Sequence, residues 1–438
     1  MALSTKPYRG ARDFYPEDKR LQKYIFSVWR KVAESFGYEE YDAPILEPLE
    51  IYLAKSGQEI VNEQTYVFTD RGDRQVVIRP EMTPTVSRMV AAKRQELIYP
   101  LRWYSIPNLW RYERPQRGRL REHWQLNVDI FGVKDTSAEL EIITVVDAIF
   151  KGFGATTDMF EIRLNHRELI NYLLNDYLKL SEEAALAVSK LIDRIHKMDR
   201  TKFLSLLDEI LTDKDRANKA SEKLLSILDA KTLKDLPEEA KSHESYKDLE
   251  AVLNQLSKSK MTNVRFDSSL MRGFDYYTGI IFEVFDLDTE NNRSMMGGGR
   301  YDGLVGLFGV EPVPTVGFGW GDVTLINFLE NHGLSPELKP EADIAVALIG
   351  DVFNAAQDVL SQLRDSGLNI TVDLSGKRLG DQFKAAEKKH LDLVLIIGED
   401  ELKTKNFKLK NLKTTDEQIV TVEEVIKLAG KISKDDSY

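Results

Sequence analysis

The sequence contains no cysteine. Disulfide frameworks, thiolate metal sites, iron–sulfur clusters and cysteine nucleophiles are therefore excluded. No apolar run approaches the ~20 residues of a membrane-spanning helix, so no such span is expected. The first residues include Asp13 and Glu17 and lack an apolar stretch. Neither a secretory signal nor a transit peptide is expected, and the chain reads as cytoplasmic. Histidine is scarce: His123, His166, His196, His243, His332 and His390 lie far apart, and no H-E-x-x-H cluster exists. A protein-held transition metal is not expected. G-x-x-x-x-G-K-[ST] is also missing, so any nucleotide is bound without a P-loop. Sixty Lys+Arg against 71 Asp+Glu leave a formal charge of −11. That balance argues against indiscriminate coating of nucleic acid but permits a local basic groove.

What is present fills 438 residues, room for two or three domains. Leu21, Tyr24, Ile25, Val28, Trp29, Val32, Ala33 and Phe36 recur at helical spacing, so a helix is predicted over 18–36, stopped by Gly37. Strands are predicted at 75–78, 101–106, 108–113, 124–131 and 160–164. The T-S-A-E of Thr136 to Glu139 reads as a capping box opening a helix through Phe150. From about Asn175 to Lys260 the chain has one proline and no glycine. That stretch is predicted to be a helical insertion of four or five short helices. Strands resume at 264–266 and 280–285, and a helix is predicted over 323–331. A linker with Pro336 and Pro340 precedes strand–helix alternation from about 342, the signature of a small, mostly parallel α/β domain.

Four segments concentrate chemistry. Ile78-Arg-Pro-Glu-Met-Thr-Pro84 sets a charge pair and a hydroxyl beside two prolines. Trp110 to Gly132 interleaves Arg111, Arg114, Arg117, Arg119 and Arg121 with Glu113 and Glu122, and turns at Gly118. Two antiparallel strands joined by a basic loop would suit polyphosphate, because arginine forks match phosphate oxygens in pairs. A solvated charged hairpin would have the same composition. Met271-Arg-Gly-Phe-Asp-Tyr-Tyr-Thr-Gly279 could place a cation and two phenols over a polar ligand, or simply turn into a strand. Gly297-Gly-Gly-Arg-Tyr-Asp-Gly303 removes three consecutive Cβ atoms and lets backbone approach a ligand or another strand closely.

Taken together, these segments resemble the histidyl-tRNA synthetases, a family of class II aminoacyl-tRNA synthetases, over nearly the whole chain. Arg9-Gly-Ala-Arg-Asp13 is similar to the family's N-terminal signature. RPEMT at 79–83 and RYERPQRGR at 111–119 resemble its substrate strand and class II motif 2. RGFDYYTG at 272–279 and GGGRYDGLV at 297–305 resemble its two histidine-specific motifs. The C-terminal part resembles the anticodon-binding domain of several class II synthetases.

The resemblance implies an α+β catalytic domain over 1–334, an antiparallel sheet flanked by helices, with the helical insertion at 175–260 inside it. It implies an α/β anticodon-binding domain over 342–438. The implied reaction joins L-histidine to ATP, with Mg2+ arriving on the nucleotide, and passes the histidyl group from the adenylate to tRNA(His). By motif position, Arg111 would hold the α-phosphate, Glu113 would sit near adenine and Arg119 near the outer phosphates. Arg272 would approach the reacting carboxylate and α-phosphate. Histidine would be held by Glu81, Thr83, Gln125, Asp129, Arg272, Tyr277 and Tyr301. Tyr276 would join them only if it escapes the strand rule that neighbouring side chains face opposite ways. A homodimer through the region of Tyr41 to Leu49, with Pro44 in the matching position, is implied as well.

Two positions depart from the family pattern. Asp129 stands where glutamate is usual at the ring-binding position, and Thr324 falls where motif 3 carries arginine. The second departure would suit a non-catalytic relative, the synthetase-like regulatory subunit of ATP phosphoribosyltransferase. Retention of Arg111, Glu113, Arg119 and Arg272, and a C-terminal domain, favour the ligase.

Overall fold

The computed structural model describes residues 3–53, 64–271, 276–288, 291 and 294–432. The chain divides into two compact units, one of Met1–Asp13 with Ile25–Ser335 and one of Phe14–Tyr24 with Pro336–Tyr438.

The larger unit is built on a mixed sheet, nine-stranded among the described residues. Its strands run in the order Glu39–Glu40, Leu101–Ser105, Glu122–Phe131, Thr315–Gly321, Ser294–Arg300, Ile280–Asp286, Phe160–His166 and Val264–Phe266. The short strand Asn108–Trp110 pairs with the start of Glu122–Phe131. The centre is antiparallel, as the sequence implied. The edges are not: Glu39–Glu40 runs parallel to Leu101–Ser105, and Val264–Phe266 parallel to Phe160–His166. A parallel neighbour requires a long crossover, and the helical insertion supplies the second of these.

Period-two alternation divides the central strand between two environments. Leu126, Val128 and Ile130 are buried in the core, where Phe150 stacks on Phe160 with ring centroids 3.9 Å apart and leans on Trp320 at 4.4 Å. Gln125, Asn127 and Asp129 face the other way.

The helix Ser137–Gly152 forms, but the predicted capping box does not. Thr136 makes no side-chain cap, and Asp135 Oδ1 accepts the Ser137 N–H at 2.9 Å instead. Glu139 is drawn away by Arg300, whose Nε and Nη2 donate to its two carboxylate oxygens at 2.7 Å each. A bidentate, charge-assisted pair outcompetes a local backbone hydrogen bond.

The insertion is more divided than predicted, with six α-helices from Glu182–Ile192 to Glu244–Lys258 among the described residues. Their starts follow capping rules: Ser181 accepts from Ala184 N–H, Asp199 from Lys202 N–H, and Thr212 with Asp215 closes a reciprocal box. A three-stranded antiparallel sheet of Leu46–Pro48, Gln75–Ile78 and Tyr66–Thr69 leaves Ile45, Leu46, Val67 and Phe68 exposed.

The smaller unit carries a five-stranded sheet in the order Ile370–Val372, Ile344–Leu348, Leu393–Ile397, Phe407–Asn411 and Glu417–Val420. The first three strands are parallel, as predicted. The last two form an antiparallel hairpin that the sequence reading missed. Both sheet faces are covered. Ile344, Val346, Leu395 and Ile397 pack with Leu360 and Leu363, while Ala345, Ala347 and Val394 pack with Ala386 and Leu391. That explains why the parallel strands read as continuous apolar runs.

Candidate active site

One cleft in the larger unit brings together Glu81, Thr83, Arg111, Gln125, Asp129, Tyr276, Tyr277 and Tyr301, with Asn127, Phe318 and glycines 297, 317 and 319. Its empty volume, open mouth included, is about 510 Å³. Its floor is the sheet. Gln125, Asn127 and Asp129 project from one strand at two-residue intervals and lie opposite Gly321, Gly319 and Gly317 of the next strand. The glycines make that projection possible. A Cβ on Gly317 would overlap Asp129 Oδ1, and one on Gly319 would come within 2.8 Å of Gln125 Nε2. One strand further, Gly299 lies opposite Gly317, and a Cβ there would be 2.9 Å from the Tyr277 ring. The glycines thus clear side chains from two adjacent strands, a role that the local sequence of Gly297 to Gly299 left open between ligand and neighbouring strand.

The deepest polar group is Asp129, 3% exposed and hydrogen-bonded by the Tyr301 hydroxyl, which is itself 2% exposed. Burial pushes the Asp129 carboxyl up to about 7, with the Tyr301 hydroxyl opposing the rise. The Tyr301 phenol is pushed well above its ordinary value, by burial first and the Asp129 charge second. Glu81 is 3% exposed and accepts from the Tyr276 hydroxyl at 3.3 Å. Its backbone carbonyl accepts from Tyr52 at 3.3 Å, and Tyr52 also meets Thr85 at 2.9 Å. The segment holding Glu81 is therefore fixed by buried partners. Thr83 opens the helix Thr83–Ala92, with Pro84 next to it at a position where the missing N–H costs nothing.

Tyr276 and Tyr277 both line the cleft, against the reservation drawn from strand alternation. They precede the strand Ile280–Asp286 and sit in a turn, where the alternation rule has no force. Their rings lie 4.9 Å apart, and the Tyr276 ring meets that of Tyr301 edge-on at 5.7 Å.

Arg111 reaches the cleft from the other end. Its Nε donates to the Pro80 carbonyl at 2.9 Å, and its backbone N–H to Arg121 O at 2.8 Å. Glu113 and Arg119 do not line the cleft; they face each other across the base of the loop, Arg119 Nε 2.8 Å from Glu113 Oε2. Beside them His123 is pushed down to about 3, by burial first and then by the charges of Arg111, Arg12 and Arg119. Thr324, at the motif 3 position, donates its hydroxyl toward Met295 O at 2.8 Å and Gly321 O at 3.0 Å, and adds no charge. Arg12 pairs nearby with buried Asp322 at 2.7 Å. Arg272 lies outside the described residues.

Sequence reasoning missed Asn127, although its place two residues from both Gln125 and Asp129 was the available signal. The parallel edge strands and the C-terminal hairpin do not bear on the cleft.

Among the described residues no helix is long and apolar enough to cross a membrane. A model of the histidyl-tRNA synthetase family matches residues 10–321, and one of the anticodon binding domain matches residues 343–432. The histidine–tRNA ligase of Leptospira biflexa is 43% identical over 435 residues, covering 99% of each chain. That of Thermoplasma volcanium is 34% identical, covering 97% of this chain and 98% of its own. The crystal structure of histidyl-tRNA synthetase from Nostoc sp. superposes with a TM-score of 0.82 at 24% identity, over 99% of this chain and all of that one. With the sheet, the glycine floor and matches of this extent agreeing, the chain belongs to the histidyl-tRNA synthetase family.

Proposed function

We propose that the protein is a histidine–tRNA ligase: it activates L-histidine with ATP to histidyl-adenylate and transfers the histidyl group to the 3′ end of tRNA(His). The observation that carries this reading is the convergence in one cleft of acidic, amide and phenolic groups suited to a small cationic amino acid with an arginine suited to phosphate. Glu81 takes the substrate ammonium, with Thr83 and Gln125 beside it. Asp129 accepts a ring N–H and Tyr301 keeps that carboxyl oriented, while Tyr276 and Tyr277 wall the pocket. Arg111 neutralises the α-phosphate as the carboxylate attacks in line and pyrophosphate leaves. Arg272 approaches the same centre by its motif position. Such chemistry rests on positioning and charge neutralisation more than on covalent help.

The Glu113–Arg119 pair has the character of a placeholder. Its 2.8 Å separation lacks hydrogen-bond alignment. Outer phosphates would recruit Arg119, leaving Glu113 toward the base. Mg2+ fits such a site as a passenger of ATP, because it binds phosphates and waters with few protein ligands. Thr324 leaves the motif 3 charge unreplaced at its own position.

Residues 1–334 act as the catalytic domain, interrupted by the insertion at 175–260, and 342–438 grip the anticodon end of the tRNA. The exposed apolar residues Ile45, Leu46, Val67 and Phe68 support a homodimer through the Tyr41–Leu49 region. The absence of a membrane-crossing helix among the described residues agrees with action in the cytoplasm. The regulatory-subunit reading is not favoured, since the full-length relatives are ligases. ATP–pyrophosphate exchange is the test. Histidine-dependent incorporation of labelled pyrophosphate into ATP is expected; none, from folded protein, would refute the ligase reading.

A further inference from the structure

Asn127 is 4% exposed, lines the cleft and stands between Gln125 and Asp129 on the same strand face. Its partner in register on each side leaves it room: Gly319 offers no side chain, and Ser105 is small. The orientation of its amide is fixed chemically. One end lies 3.1 Å from the backbone carbonyl of Gln125, which can only accept, so that end is the Nδ2 donor. The other end is therefore Oδ1, and among the described residues no hydrogen bond to it is seen. An amide oxygen held this way, on the same strand face as Asp129, is a built acceptor for a ligand N–H.

We propose that Asn127 is a specificity-determining residue for the amino-acid side chain, its Oδ1 accepting one N–H of the substrate imidazolium while the Asp129 carboxylate accepts the other. This rests on the ligase reading above. A short aspartate at 129 leaves the ring less closely held than a longer acid would, and the Asn127 amide supplies a second polar contact from the same strand. With an acceptor facing each ring nitrogen, the pocket reads the proton pattern of the ring as well as its shape.

The test is ATP–pyrophosphate exchange by full-length wild type, Asn127→Ala and Asn127→Asp, with histidine and its two ring-N-methyl isomers as substrates. Asn127→Ala should raise KM for histidine roughly 5- to 20-fold, with kcat within about threefold and KM for ATP unchanged, the scale of one lost hydrogen bond to a polar ring. Discrimination against one methyl isomer, the one that blocks the N–H facing Asn127, should fall by a similar factor. Asn127→Asp keeps the acceptor and should retain that discrimination. Unchanged histidine KM and unchanged discrimination in a folded Asn127→Ala would overturn the assignment while leaving the ligase reading intact. A joint rise of KM for histidine and ATP would overturn it too, because that outcome marks general distortion. Wild type without histidine-dependent exchange would overturn the ligase reading itself, and the proposal with it.

Discussion

Arg300 holds both carboxylate oxygens of Glu139 at 2.7 Å, one residue before Tyr301 enters the cleft. The pair is nearly dry, with side-chain exposures of 9% and 2%, and Arg300 also donates to Val133 O and Asp135 O at 3.0 Å each. It ties the strand Ser294–Arg300 to the start of the helix Ser137–Gly152, and so fixes where the next side chain points.

Breaking that pair on one side leaves a buried charge uncompensated, which costs about 3–5 kcal/mol. Glu139→Gln is expected to lower stability by an amount in that range, read from urea unfolding monitored by circular dichroism. Arg300→Met should do the same and also weaken histidine activation, because Tyr301 loses its anchor. A Glu139→Gln protein as stable as wild type would show that the pair contributes no net stability.

The raised carboxyl of Asp129 gives a pH signature. Its folded-state value is about 7, against an ordinary carboxyl near 4 in the unfolded chain. The folded protein therefore binds that proton more tightly. The associated stability is fully present below about pH 4 and is lost as pH rises through 7. Between pH 5 and pH 8 the melting temperature of wild type should drop further than that of Asp129→Asn; parallel profiles would contradict the assignment. Asp129→Ala should weaken use of histidine by about 2–4 kcal/mol in kcat/KM while leaving KM for ATP nearly intact.

Much of this site was legible before any coordinates. The strand at 124–131 was predicted, the family motifs pointed to Gln125 and Asp129, and the run Gly297 to Gly299 allowed a close approach of backbone. Other features depended on partners that no local window contains. Glu139 sat in a valid capping pattern, yet its partner is 161 positions away. The hairpin Phe407–Asn411 and Glu417–Val420 was hidden because the first strand alternates apolar residues with lysine and the second opens on Glu417 and Gln418, which reads as a solvated edge. The reservation about Tyr276 came from a strand rule, and Tyr276 lies before the strand Ile280–Asp286 rather than in it.

The floor glycines separate two kinds of steric conflict. Adding a methyl at Gly317 strikes Asp129 Oδ1 and comes within 2.8 Å of the rigid Val128 carbonyl. Gly317→Ala should therefore abolish histidine-dependent exchange and depress the melting temperature. At Gly319 the conflict is with the movable end of Gln125. Gly319→Ala should fold normally but raise KM for histidine by roughly tenfold, as one substrate hydrogen bond is displaced. Equal effects of the two changes in melts and kinetics would argue against this distinction.

The unit that includes Pro336–Tyr438 contributes no residue to the cleft. A chain ending after about Leu338 should keep ATP–pyrophosphate exchange within a few-fold of wild type, provided it stays folded. Charging of tRNA should fall much further, chiefly through a higher KM for tRNA. Lys377, Lys388, Lys389, Lys403 and Lys405 are candidates for phosphate contacts, so full-length affinity for tRNA should fall steeply with salt. Efficient charging by a well-folded truncated protein would refute the division of labour.

The glycine floor also constrains how this pocket can change over generations. Every single-base change of a glycine codon that puts another residue in its place adds at least a Cβ. At Gly298 that atom would overlap the Gly317 carbonyl, and at Gly299 it would lie 2.7 Å from the Ile280 carbonyl. Neither obstacle is a side chain that a second substitution could trim. The floor is thus closed to stepwise resizing, and any drift toward a different amino acid has to pass through the strand that carries Gln125, Asn127 and Asp129.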